Sequence, residues 1–77
     1  MQVITYRGRL VELTVLGDTV NDELVLECWD MSADGGRWFT LSRDADAGMI
    51  LKDVQRPVPL DLLEQVAAIA GLELTEQ

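Results

Sequence analysis

The chain has 77 residues, 48% of them hydrophobic, and a formal net charge of −8 from 14 acidic and 6 basic side chains. That is one small domain, burying only about 60–65% of the surface its unfolded chain exposes. With no histidine and a single cysteine, a disulfide framework, a Cys/His zinc site and every histidine-based catalytic dyad or triad are excluded.

The six bases all lie within the first 56 residues, whereas Asp61, Glu64, Glu73 and Glu76 follow with no base among them. A field this negative repels phosphate backbones and anionic lipid, so neither nucleic acid nor a membrane surface is expected as a partner. A basic protein is, because opposite potentials speed encounter. Plain solubility accounts for the same charge. The opening Met1-Gln2-Val3-Ile4-Thr5-Tyr6-Arg7 shows no basic region leading into an apolar run, so no secretion signal is expected there. No apolar stretch approaches the roughly 20 residues that span a bilayer. The lone Cys28 suits a reducing compartment, and the cytoplasm is the expected location.

Period-two alternation dominates the first 55 residues. It predicts strands over about 2–6, 9–16, 23–32, 37–42 and 49–54, with Gly8 as a turn or bulge. Gly17 to Asp22 is rich in turn formers. Ala33-Asp34-Gly35-Gly36 carries the strongest turn signal, since Asp-Gly and Gly-Gly accept positive φ. Pro57 and Pro59 then end the strands, and a helix is predicted over about 59–70. Pro59 suits its first position and Asp61 its first turn. Leu62, Leu63, Val66, Ile69 and Ala70 share one face, and Gly71 reads as the C-terminal stop with Leu72 packing behind it. The expected fold is therefore α+β: a four- to five-stranded antiparallel meander with one C-terminal helix across one face.

In the central hairpin, a two- or four-residue turn at Asp34-Gly35 would pair Ser32 with Arg37, Met31 with Trp38, Trp29 with Thr40 and Cys28 with Leu41. One face then holds Leu24, Leu26, Cys28, Phe39 and Leu41, which suits the helix. The other holds Val25, Glu27, Trp29, Met31, Trp38 and Thr40. That second face either curls into the core or presents two tryptophans and a methionine, which protein interfaces enrich. Trp29, Met31, Trp38, Glu27, Asp30 and Asp34 are thus the candidate partner-binding residues. Asp61, Glu64, Glu73 and Glu76 are a secondary acidic surface.

Other signals are weaker. Asp44-x-Asp46-x-Gly48 opens like a calcium loop, but Gly48, Met49 and Gln55 stand where a third oxygen ligand, glycine and glutamate belong. Gly35-Gly36-Arg37 precedes no helix and reads as a turn rather than a phosphate loop. Cys28 lies between Glu27 and Asp30, which oppose a thiolate, and reads as a small buried hydrophobe. The six bases read as scattered surface pairs. No catalytic group, metal or cofactor is expected.

In size, acidity and layout, rather than by any motif, the chain resembles the small inhibitors that bacteria and phages direct at nucleases and toxins, such as immunity proteins and anti-CRISPR proteins. That resemblance implies a non-catalytic binding module occluding a basic protein surface. The alternative is a structural or regulatory subunit that homodimerises through an exposed sheet face or edge.

Overall fold

The computed structural model describes residues 2–18, 23–32, 34–44 and 46–74. Five strands, β1 (Gln2–Tyr6), β2 (Arg9–Asp18), β3 (Glu23–Asp30), β4 (Gly36–Asp44) and β5 (Gly48–Lys52), precede one helix, α1 (Leu60–Glu73). Each strand pairs antiparallel with the next, giving one sheet in the order β1-β2-β3-β4-β5. The fold is the α+β meander with one C-terminal helix that the alternation predicts. No helix among the described residues is long and apolar enough to cross a membrane.

The turns explain the tight connections. β1 and β2 join through Arg7-Gly8, with Tyr6 paired to Arg9 and φ of 50° and 83° at the two loop residues. Positive φ at both positions is the type I′ turn, whose twist matches that of the strands. The β3–β4 connection is longer. Asp30 pairs with Gly36, and Gly35 donates its N–H to the Ser32 carbonyl at 2.9 Å. A Cβ on Gly35 would lie 1.9 Å from the Asp30 carbonyl oxygen, so only glycine fits there.

The hairpin register differs from the predicted one by two residues, since Cys28 pairs with Phe39 rather than Leu41. A slip of two preserves parity, so Leu24, Leu26, Cys28, Phe39 and Leu41 still share a face. The pairing shifts between Cys28 and Trp29, where Trp29 meets Arg37 and Trp38 is left as the extra residue of a bulge. The bulge turns Trp38 away from Trp29 and into the core, where it is 6% exposed.

The helix covers only the Leu26/Cys28/Phe39 face. Leu62, Val66 and Ala70, one apolar stripe at helical spacing, are completely buried against Val11, Leu13, Leu26, Cys28, Phe39 and Leu41. Leu63, Ala67 and Ile69 pack at the margins. The helix runs past its expected stop. Gly71 lies inside it, and Leu74 caps the end by donating its N–H to the Ala70 carbonyl at 2.8 Å. Leu74 is buried while Leu72 points to solvent, because one further turn of helix exchanges which leucine reaches the sheet.

Leu62→Ala should therefore lower unfolding free energy by about 2–4 kcal/mol through lost burial and a residual cavity. Leu60→Ala, at a 74% exposed position, should change it by less than about 0.5 kcal/mol. Urea denaturation of both variants checks this, and equal shifts would mean that the helix docks through another face.

Candidate functional site

No helix or second sheet lies over the face opposite α1 among the described residues, although Thr40 and Ser42 on that face are only 2% exposed. Register places Val3, Glu12, Trp29 and Arg37 in one row across it, with Thr5 and Leu10 beyond and Leu16 and Val25 towards the other end. Val3, Leu10, Leu16 and Trp29 are all exposed, as is Met31 in the following turn. Trp29 is not loose on this surface. Its Nε1 donates to Glu27 Oε1 at 3.0 Å, and Arg37 Nη1 lies 3.3 Å from Glu27 Oε2. One carboxylate two residues back along the strand thus braces the indole and fixes the guanidinium beside it. The bracing reduces the side-chain freedom that any contact at this position would cost.

The predicted partner-binding set divides. Trp29 and Met31 are exposed on or beside the free face, and Asp34 is exposed in the turn. Glu27 lies on the free face as the brace. Trp38 does not join them. It sits on the helix side, donating Nε1 to the Pro57 carbonyl at 3.1 Å and meeting Phe39 edge-on with ring centroids 6.4 Å apart. Asp30 does not join them either. It continues the Leu26, Cys28 alternation onto the helix side and is 2% exposed. The bulge accounts for Trp38 and the strand alternation for Asp30.

What Asp30 does there is absent from the sequence reading. Its Oδ1 accepts the Ser32 N–H at 2.9 Å, and its Oδ2 accepts Arg9 Nη1 at 2.7 Å together with Arg56 Nη2. Burial opposes its ionisation. The hydrogen bonds from Ser32, Arg56 and Arg9 outweigh that and hold the carboxyl well below the usual range. The Arg56 guanidinium also lies 4.5 Å from the Trp38 ring centroid. Beside this cluster, Asp61 accepts the Tyr6 hydroxyl at 2.6 Å and Arg7 Nη2 at 2.9 Å. Those two bonds hold the Asp61 carboxyl below its ordinary value, and the bond to Asp61 holds the Tyr6 phenol above its own. Arg7, Arg9 and Arg56, read as scattered pairs, converge here. Alternation from Cys28 to Asp30 was the one available signal, since it places a carboxylate on the core face where a cation must meet it.

The secondary acidic surface is not a single surface. Asp61 is engaged by Tyr6 and Arg7. Glu64 and Glu73 are both exposed but lie nine residues apart, half a turn round the helix from each other. Glu76 falls outside the described residues. At the far end of the sheet the register sets Asp18 opposite Glu23 and Asp44 opposite Gly48. Asp44 Oδ1 closes the β4–β5 turn by accepting the N–H groups of Asp46 at 2.7 Å and Ala47 at 3.0 Å. Cys28 is fully buried, and burial together with the Asp30 charge pushes its thiol up to about 12, leaving almost no thiolate at neutral pH.

No known protein family, curated protein or solved structure matches the chain.

Two measurements check this arrangement. Trp38→Phe should leave emission that acrylamide quenches freely, and Trp29→Phe should leave blue-shifted, shielded emission; the reverse pattern would refute the bulge. Because the folded-state pKa of Asp30 lies below its unfolded value, its stabilisation is complete above about pH 4 and is lost as pH falls through the folded value. Asp30→Asn should lower stability at pH 7 by about 2–3 kcal/mol, less than a fully buried pair because both arginines are partly exposed. It should also flatten the acid side of the stability profile. An unchanged profile would mean that the cluster is not an ion pair.

Proposed function

We propose that this chain is a non-catalytic protein-binding module that occludes a basic surface of a partner protein, an inhibitor in the manner of immunity or anti-CRISPR proteins. The observation that carries this reading is the helix-free sheet face with Trp29 braced on its middle strand. An exposed tryptophan held between Glu12, Glu27 and Arg37, with exposed Val3, Leu10 and Met31 beyond, has the composition of an interface hot spot. Its surroundings select the partner by charge. Exposed Asp44 stands at one end of the strands and exposed Asp34 at the other, in a chain of net charge −8. An apolar patch ringed with lysine or arginine is the complement, and the long-range field speeds its approach. The free, buried Cys28 supports a reducing compartment such as the cytoplasm.

A second copy is the competing occupant, and one observation favours it. On the free face the acids Glu12 and Glu27 lie on β2 and β3, while the bases Arg37 and Lys52 lie on β4 and β5. A two-fold axis along the strands would set acids against bases. The −8 charge of each copy opposes this pairing, so the basic partner is preferred.

Capture from a cell extract, followed by reconstitution with the purified captured protein, tests the reading. The partner should be basic, and its association should slow as salt rises from about 50 to 500 mM. Trp29→Ala should weaken the complex by about 2 kcal/mol, roughly thirtyfold, while changing folding stability by less than about 1 kcal/mol. Undiminished binding by Trp29→Ala would overturn the docking face. Light scattering that shows a dimer of the pure chain, split by Trp29→Ala, would assign the face to a second copy instead.

A further inference from the structure

On the helix side, Arg7, Arg9 and Arg56 line a cleft of about 340 Å³ with Tyr6, Trp38 and Pro59. Half of the six bases in a strongly acidic chain therefore surround one opening. The carboxylates paired to them, Asp30 and Asp61, leave a local balance of +1. Asp30 is saturated by Ser32, Arg9 and Arg56, yet the Arg9 and Arg56 side chains remain 46% and 35% exposed. Each pair engages one guanidinium nitrogen, and a guanidinium carries five N–H donors in a fork shaped for an oxyanion.

Arg7 supplies an independent observation. Its φ is 50°, a left-handed conformation that costs an arginine energy and that glycine or asparagine adopts readily. The β1–β2 turn requires that conformation, but an arginine side chain there adds little to folding, because the Arg7–Asp61 pair is exposed at 72% and 54%. A strained, exposed cation at the mouth of a cleft is where backbone strain accompanies function. The first turn of α1 opens onto the same cleft through Pro59, and its dipole adds positive potential.

We propose that this cleft is a receptor for one small oxyanion, a phosphate or carboxylate group held between Arg7, Arg9 and Arg56 with Trp38 as its apolar wall. Nucleic acid is turned away by the net charge, which penalises a long polyanion far more than one small group. The site is independent of the Trp29 face, which lies on the other side of the sheet.

The test is titration of the full chain with inorganic phosphate. It is followed through the Nε–H signals of the three arginines and the Trp38 indole N–H, against sodium chloride at equal ionic strength. The expected result is saturable binding with a Kd of about 1–10 mM for the bare ion. A parallel acetate titration separates the two sources, and saturation by acetate alone would name the carboxylate. Arg7→Asn should hold or raise the thermal midpoint while weakening the anion at least about fivefold, and Arg9→Lys, which keeps charge but not the fork, should weaken it similarly. Neither anion saturating below about 50 mM would overturn the proposal, as would full affinity in Arg7→Asn.

Discussion

One helix can cover only one face of a five-stranded sheet, and most of this molecule follows from that constraint. Fourteen residues of α1 span about 21 Å, and a helix is about 10 Å across against strand spacings of about 4.8 Å. It therefore shields the middle of the sheet and little more. Val11, Leu13, Leu26, Cys28, Phe39 and Leu41 lie under it and are buried, whereas Val15 and Leu51, on the same face but towards its margins, stay 38% and 42% exposed. The opposite face has to serve as surface, and it mixes threonine and paired charges with its aliphatic residues. A core of this size leaves stability marginal, so the few polar contacts inside it matter more than they would in a larger domain.

The most consequential of these contacts is the Asp30 cluster. It links residues 21 and 26 positions apart, and the neighbouring Tyr6–Asp61 bond links residues 55 apart. Between them they join the first hairpin, the third strand, the segment after β5 and the start of the helix. That segment is also tied to the bulge, since Gln55 donates its N–H to the Trp38 carbonyl at 2.8 Å and Pro57 receives the Trp38 indole. Burying a carboxylate is costly unless it is fully bonded, and three donors to two oxygens meet that requirement. The same convergence that satisfies Asp30 gathers cations around an open cleft, so a structural requirement and a recognition surface arise from one set of side chains.

The molecule thus presents two unlike surfaces on opposite sides of one sheet. The free face is partly apolar and carries a braced tryptophan on its middle strand. The cleft is small, cationic and set at the end where the helix begins.

Much of this was legible in sequence, and the exceptions share a cause. Alternation from Val11 to Leu13 and from Leu24 to Cys28 assigned the core face, and the stripe Leu62, Val66, Ala70 assigned the helix face, because local periodicity decides which side of an element is apolar. Pro57, Pro59 and the glycine-rich turn marked the boundaries to within a few residues. Trp29 as an exposed candidate followed from the same parity. The rest depended on tertiary structure. Trp38 left its predicted face because a bulge inserted one residue opposite Trp29, and a bulge is placed by the packing on both sides of the strand. Gly71 did not stop the helix, because burial of Leu74 on the sheet outweighs the local preference for a glycine terminus. The arginine cleft could not be read from the chain, since Arg7, Arg9, Asp30, Arg56 and Asp61 acquire their meaning only when five distant positions meet. Periodicity acts over a few residues and sets faces; the pairing of buried charge acts across the whole fold and is decided only when the chain closes.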